Sequence, residues 1–106
     1  MEIKLLNSTI QGTSVNLSEI NFGNIALNAK AVANILIKPE QGEELLSFKG
    51  TCGCTSIETS NGIYTVEYKN TNVKKPFSKT MILTYKKDGK EKTQEVKLKG
   101  SVNETN

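Results

Sequence analysis

The sequence predicts an all-β protein in which two antiparallel sheets pack as a sandwich. Apolar and polar residues alternate with period 2 over 31–38, 64–68 and 96–102, which is the pattern of half-buried strands. Asp88-Gly89 and Asn61-Gly62 each precede such a run and favour tight hairpin turns. No segment has a convincing helical period. Short strands separated by turns about every 8 to 12 residues are more typical of a sandwich than of a barrel.

Eight strands are predicted along the chain. The alternating run from Ala31 ends where Pro39 and Gly42 interrupt it, and the Asp88-Gly89 turn joins the last two strands as a hairpin. The predicted strands lie near 2–6, 13–18, 30–37, 45–49, 54–58, 62–69, 78–86 and 92–102.

The chain of 106 residues is long enough to form one domain with its own core, and it needs no disulfide or metal to fold. No repeat, linker or low-complexity run divides it. We predict an N-terminal segment over 1–12 that is an added or swapped strand, an Ig-like β-sandwich over 13–102, and a frayed tail over 103–106.

The charge pattern disfavours nucleic-acid binding. The 14 basic residues are all Lys, the acidic residues number 11, and the formal net charge is +3. Lysines are spread along the chain, and Lys lacks the planar guanidinium that binds guanine or phosphate in a bidentate way.

The N-terminal residues contain no apolar run, no lipidation motif and no membrane span. The expectation is therefore a protein that is not exported and does not bind membranes. A bacterial cytoplasmic location agrees with this expectation, whereas a periplasmic location would require that a signal peptide has been removed.

Cys52 and Cys54 are the only pair of side chains in the sequence that could have a catalytic, redox or metal-binding role. Their spacing in an extended strand would put both thiols on one face, and three roles remain open. A metal site would need ligands from another molecule, because the chain has no other Cys and no His. A redox pair usually has Cys-x-x-Cys spacing at a helix N-terminus. The third role is a pair of small apolar residues beneath a strand crossover. Since a disulfide across one Gly would be strained, we expect both thiols to be reduced and at least one to be buried.

The sequence matches none of the common arrangements of catalytic residues. A hydroxyl nucleophile would lack its usual His base, and no Gly-x-Ser-x-Gly elbow is present. The pair Glu43-Glu44 beside Gly42 is typical of a solvated turn and not of an acid/base pair. We therefore predict that the protein is not an enzyme and has no cofactor and no metal site.

Three tyrosines raise the question of a carbohydrate-binding face. Tyr64, Tyr68 and Tyr85 could stack on sugars, but Tyr at alternating strand positions more often belongs to the core, with its hydroxyl at the rim. We expect Tyr68 and Phe77 to anchor the core, with Pro76 at the entry to its strand.

Two short blocks are similar to those of a known family. These are Cys52-Gly53-Cys54-Thr55 and Pro76-Phe77-Ser78-Lys79-Thr80, which follow Asn21-Phe22-Gly23-Asn24 and precede a closing strand over 96–102. In this order they resemble bacterial Ig-like domains of unknown function with a Cys-Gly-Cys-Thr signature, which are similar in fold to the ASH and Hydin modules. The resemblance covers about residues 14–102 and implies an Ig-like sandwich without an established activity.

These observations predict a non-enzymatic structural or protein-binding module. Its exposed sheet edges would be the binding surfaces, and Lys86, Lys87, Lys90 and Lys92 would protect the last hairpin or attract an anionic partner. The function expected first is an accessory virion protein of a bacteriophage, such as a decoration, neck, ring or tail component, located in the virion. Its partners would be other proteins in a symmetric assembly, and its self-association in isolation would be weak. The alternatives are a bacterial adhesion or carbohydrate-binding module, and a small thiol-redox or metal-carrying protein that uses Cys52 and Cys54.

Overall fold

The computed structural model describes residues 1–103, which form nine strands and no helix. The strands are β1 (Glu2–Ser8), β2 (Ser14–Val15), β3 (Glu19–Ala26), β4 (Ala31–Lys38), β5 (Glu43–Gly50), β6 (Thr55–Ser60), β7 (Ile63–Tyr68), β8 (Lys75–Lys87) and β9 (Lys90–Asn103). Within this described part, no helix exists that could cross a membrane.

The strands form two sheets that pack as the predicted β-sandwich. One sheet has four strands in the order β1-β4-β7-β6, and the other has five in the order β2-β3-β9-β8-β5. Every pairing is antiparallel except that of β3 with β9, which is parallel. The chain passes between sheets from β5 to β6, so the segment 51–54 lies at a sandwich end. The fold prediction is confirmed.

The core lies between the sheets and is built by strand alternation. In β4, Ala31, Ala33, Ile35 and Ile37 are buried, and the residues between them are more exposed, because side chains of a strand point to opposite faces in turn. The core contains no buried polar or charged residue among those described. Its members are Ile3, Ile20, Phe22, Ile25, Ala31, Ala33, Ile35, Ile37, Phe48, Val66, Tyr68, Phe77, Met81, Leu83, Val96, Leu98 and Val102.

The prediction missed β3. It assigned one strand over 13–18, whereas β2 covers only Ser14–Val15 and the longer β3 follows it. Ile20 and Phe22 are buried two residues apart, but the next buried residue is Ile25, because the register of β3 against β9 shifts between Asn21 and Asn24. Such a bulge inserts residues into the strand and breaks the period-2 pattern.

Two predicted hairpins are confirmed. Asp88 and Gly89 have φ values of +51° and +81° and connect β8 to β9, and Asn61 and Gly62 have φ values of +53° and +79° and connect β6 to β7. Two successive positive φ values are characteristic of a type I′ turn. Asp and Asn adopt them more readily than other side chains do.

The N-terminal segment is a strand of this domain's own sheet. β1 pairs with β4 from Glu2↔Lys38 to Ser8↔Ala33, and Ile3 lies in the core with 8% of its surface exposed. Of the two alternatives for the segment 1–12, an added or a swapped strand, the structure has the added strand. At the other end, Asn103 is the last residue of β9 and does not belong to a frayed tail. The remainder of the predicted tail, 104–106, lies outside the described residues.

Candidate functional site at the β5–β6 flank

The two cysteines lie in a turn and not in a strand. β5 ends at Gly50 and β6 begins at Thr55, and Cys52 and Cys54 are joined by a disulfide across Gly53. Cys52 is exposed and Cys54 is half-buried. The expectation of two reduced thiols, with at least one buried, is therefore wrong on both counts. The physical reason is local: a turn brings the two Cα atoms to 5.4 Å, which is within the usual disulfide range, whereas residues two apart in an extended strand are farther apart.

Backbone hydrogen bonds hold this turn at both ends. The N–H of Thr51 donates to the carbonyl of Thr80 over 3.1 Å, and the N–H of Lys69 donates to the carbonyl of Cys54 over 2.9 Å. The hydroxyl of Thr51 also donates to the Thr80 carbonyl. The disulfide turn is thus attached to both sheets at one end of the sandwich.

The two segments that resemble a known family, 52–55 and 76–80, meet at this end of the sandwich. Pro76-Phe77-Ser78-Lys79-Thr80 lies in β8, which begins one residue before Pro76, and its Thr80 accepts the hydrogen bond from the turn. Phe77 stacks on Tyr68, with 3.7 Å between ring centroids and 4° between planes, and Tyr68 pairs across the sheet with Thr55. Phe77 and Tyr68 are both buried, which confirms their predicted place in the core. Thr80 additionally accepts a hydrogen bond from the Lys97 ammonium over 2.8 Å.

An apolar groove runs along the flank beside this turn, between β5 and β6. Its volume is about 210 Å³, its apolar lining includes Leu46, Phe48, Ile57 and Tyr64, and the polar residues Ser47, Lys49 and Thr59 also line it. Phe48 and Tyr64 meet edge to face with 5.9 Å between ring centroids, so one residue of each sheet contributes to the lining. Leu46 is 41% exposed. Since β5 and β6 end their respective sheets, this flank has no strand beyond them within the described chain.

The tyrosines do not form a common face. Tyr68 is buried against Phe77, Tyr64 lines the groove, and Tyr85 lies on β8 opposite Lys92. They are distributed over both sheets, so a sugar could not stack on all three. The sequence interpretation that assigned such tyrosines to the core or its rim describes Tyr68 and Tyr64 well.

A polar pocket lies at the end of the sandwich between the β3–β4 and β7–β8 connections. Its volume is about 360 Å³, and it is lined by the segments 28–30 and 67–70 and by Asn72. The amide of Asn70 donates to the carbonyls of Ala26 and Ala29 over 3.2 Å and 3.1 Å, and the side-chain carbonyl of Asn72 accepts from the N–H of Asn28 over 2.8 Å. Asn70 and Asn72 therefore connect the two loops.

Glu43 and Glu44 have different partners in the structure. Glu43 accepts a hydrogen bond from the Met1 ammonium over 2.5 Å, and this bond lowers the pKa of the Glu43 carboxyl and raises the pKa of the Met1 amino group. Glu44 is paired across the sheet with Lys86. The two carboxylates thus do not face each other across a cleft. No group of three or more His, Cys, Asp or Glu side chains that could hold a metal ion occurs among residues 1–103.

The lysines of the last hairpin lie where the sequence places them. Lys86 and Lys87 end β8, and Lys90 and Lys92 begin β9, and all four are exposed. The cross-strand pairs are Lys87↔Lys90 and Lys86↔Glu91. The hairpin is therefore solvated, and its lysines have acidic neighbours, because Glu43 and Glu44 of β5 are the cross-strand partners of Lys87 and Lys86.

Comparison with protein-family models, curated proteins and solved structures finds no match for this chain. The class that the structure defines is a two-sheet β-sandwich with an exposed disulfide turn and an apolar groove at one flank.

Proposed function

We propose that this protein is a non-enzymatic structural module that binds other proteins through its sheet edges. The observation that carries the proposal is the open flank, where two edge strands of different sheets lie on either side of an apolar groove. Edge strands present unpaired backbone N–H and C=O groups that can pair with a strand of another chain. A groove beside such an edge adds apolar contacts for alternate side chains of that strand.

The specific role that we propose is that of an accessory virion protein of a bacteriophage, as a decoration, neck, ring or tail component. A compact sandwich with extents of 49 × 23 × 20 Å is a suitable repeating unit for a symmetric assembly. Its composition, with all 14 basic residues Lys and none Arg, suits an A+T-rich coding genome. The Lys-rich last hairpin and the net charge of +3 oppose self-association of the free protein.

The test combines two measurements. Light scattering of the isolated protein should give a monomer or a weak oligomer, and mass spectrometry of purified native particles should find the protein in many copies in a fixed ratio to a main component. Turnover of a small substrate by a free monomer that joins no larger complex would overturn the proposal.

A second function has one observation in its favour. The Cys52–Cys54 disulfide is exposed at Cys52, and an accessible disulfide can exchange with an external thiolate through a mixed disulfide. In such an exchange the attacking thiolate bonds to one sulfur while the other sulfur leaves as a thiolate. A redox titration against glutathione would support this function if the pair is half-reduced at a potential typical of catalytic dithiols, about −270 to −120 mV. A pair that stays oxidised well below this range would exclude it.

A further inference from the structure

The four edge strands of the sandwich differ in how well they are protected against pairing with another chain. β2 is only two residues long, β1 has a register shift between Leu5 and Asn7, and β5 has one between Leu45 and Ser47. Lys4 and Lys49 add a positive charge to β1 and β5. Short length, bulges and Lys are the usual devices that prevent edge-to-edge association.

β6 carries none of these devices. It pairs with β7 over six consecutive residues without a register shift, and its sequence from Thr55 to Ser60 contains no Lys and no Pro, and only one charged residue, Glu58. Its first residue directly follows the disulfide turn that is attached to both sheets. β6 is therefore a regular and pre-positioned edge.

The backbone groups of β6 that face away from β7 can be assigned. Lys69 donates to the carbonyl of Cys54, so Cys54 and Lys69 are a hydrogen-bonded pair of the antiparallel ladder. Such pairs alternate with non-hydrogen-bonded ones. The residues paired to β7 by hydrogen bonds are then 56, 58 and 60, and the outward N–H and C=O groups belong to Thr55, Ile57 and Thr59.

The side chains beside this edge define the chemistry of a partner. Ile57 and Thr59 line the groove together with Leu46, Phe48 and Tyr64, so Glu58 points to the opposite, outer face of the sheet. Small-molecule sites usually have volumes of about 300–1,000 Å³, and the groove, at about 210 Å³, is smaller. It suits one or two apolar side chains. On the outer face, a basic residue opposite Glu58 would form a favourable cross-strand pair.

We propose that β6 is the docking edge of this protein and that its partner is an extended segment of another protein. That segment would pair with the outward groups of Thr55, Ile57 and Thr59, insert alternate apolar side chains into the groove, and place a Lys or Arg opposite Glu58. A second copy of the chain is a weaker candidate, because β6 contains no Lys or Arg that could lie opposite Glu58 of the other copy. This inference rests on the proposed function, since it names the surface by which the module binds.

The experiment uses a synthetic peptide, acetyl-KVKVTVK-amide, added to the full ¹⁵N-labelled chain at physiological salt. Binding should shift the amide signals of β6 and slow hydrogen exchange of the outward amides of Ile57 and Thr59, while those of β1 and β5 stay unchanged. The composition-matched peptide acetyl-KKKTVVV-amide lacks the alternation, and acetyl-EVEVTVE-amide reverses the charge, so both should bind more weakly.

Variants of Thr59 test the backbone pairing. Thr59 is exposed, and Thr59→Pro removes an outward N–H without removing a donor to β7, so it should weaken peptide binding by about fivefold or more, as expected for one lost hydrogen bond. The matched control Thr59→Ala also removes the Thr side chain but keeps the N–H, so Thr59→Pro should bind the peptide more weakly than Thr59→Ala does. If Thr59→Pro is unfolded, Glu58→Gln provides the second test: it should weaken binding of the basic peptide by about twofold and leave the Glu peptide no weaker.

Each outcome decides the inference. Equal binding of alternating and composition-matched peptides, or exchange protection on β1 or β5 instead of β6, would overturn it. Concentration-dependent dimerisation that Thr59→Pro abolishes would assign the edge to a second copy and also overturn it. If the protein is a multi-copy particle component but the peptide does not bind β6, only this inference fails. If the peptide binds β6 but no assembly contains the protein, the virion role fails and the docking edge stands.

Discussion

The contact between Phe77 and Gly100 permits a sharp test of the packing at the sandwich end. The two residues are cross-strand partners in β8 and β9, and the Phe77 ring lies over Gly100 while it stacks on Tyr68. A Cβ added at Gly100 would come within 2.7 Å of Cζ and 2.9 Å of Cε1 of Phe77, and within 3.2 Å of the Gly23 carbonyl oxygen. The ring cannot swing aside freely, because Tyr68 occupies its other face.

The magnitudes follow from these contacts. Phe77→Ala removes a ring that is 8% exposed and should lower the free energy of unfolding by about 3–5 kcal/mol, out of a total of about 5–15 kcal/mol for a domain of this kind. Gly→Ala at a compatible strand position would normally stabilise by about 0.4–1 kcal/mol. Gly100→Ala should instead destabilise by about 1–3 kcal/mol, because it overpacks the space under the ring.

The double variant isolates the cause. Once Phe77 is replaced by Ala, the two closest atoms are gone and only the Gly23 carbonyl remains near the new Cβ, so Gly100→Ala should cost much less or become stabilising. Urea denaturation followed by far-ultraviolet circular dichroism gives the four free energies of the cycle, and the interaction energy should exceed about 1 kcal/mol. Additive effects, a stabilising Gly100→Ala in the parent, or a Phe77→Ala protein that melts within a few degrees of the parent would refute the packing described here.

Three further predictions concern the disulfide turn and the N-terminal strand. Freshly purified protein should be lighter by two hydrogens than the dithiol form. Reduction of Cys52–Cys54 should lower the free energy of unfolding by no more than about 1.5 kcal/mol, because the bond closes only a short loop. A loss above about 3 kcal/mol in urea titrations with reductant would contradict this. Ile3→Ala should cost about 2–5 kcal/mol in the same assay, since Ile3 belongs to the core, and a neutral result would mean that β1 is dispensable. Pairing lowers the pKa of the Glu43 carboxyl from 4.5 and raises the pKa of the Met1 amino group from 8.0. The ion pair should therefore stabilise the fold fully between these two pH values. Its contribution should be lost as the pH drops through the lowered pKa of Glu43 and as the pH rises through the raised pKa of Met1. Glu43→Gln should remove both limbs of that pH profile, whereas Glu44→Gln should keep them.

The sequence determined the fold class and most strands of this protein. Strand alternation is a local property that survives in the sequence whenever one face is buried, so β4, β7 and the β8–β9 hairpin were predictable from Ala31, Tyr68 and the Asp88-Gly89 turn. β3 was not predictable by this rule, because its bulge shifts the buried positions from Phe22 to Ile25.

The tertiary structure alone decided how the candidate site is built. Whether Cys52 and Cys54 are bonded depends on the backbone of a turn held by Thr80 and Lys69, which are distant in sequence. Strand order made β6 an edge and opened the groove beside it, and no local pattern encodes which strands lie at the end of a sheet. Alternation reports which face of a strand is buried, whereas the partner of each strand is set by long-range packing.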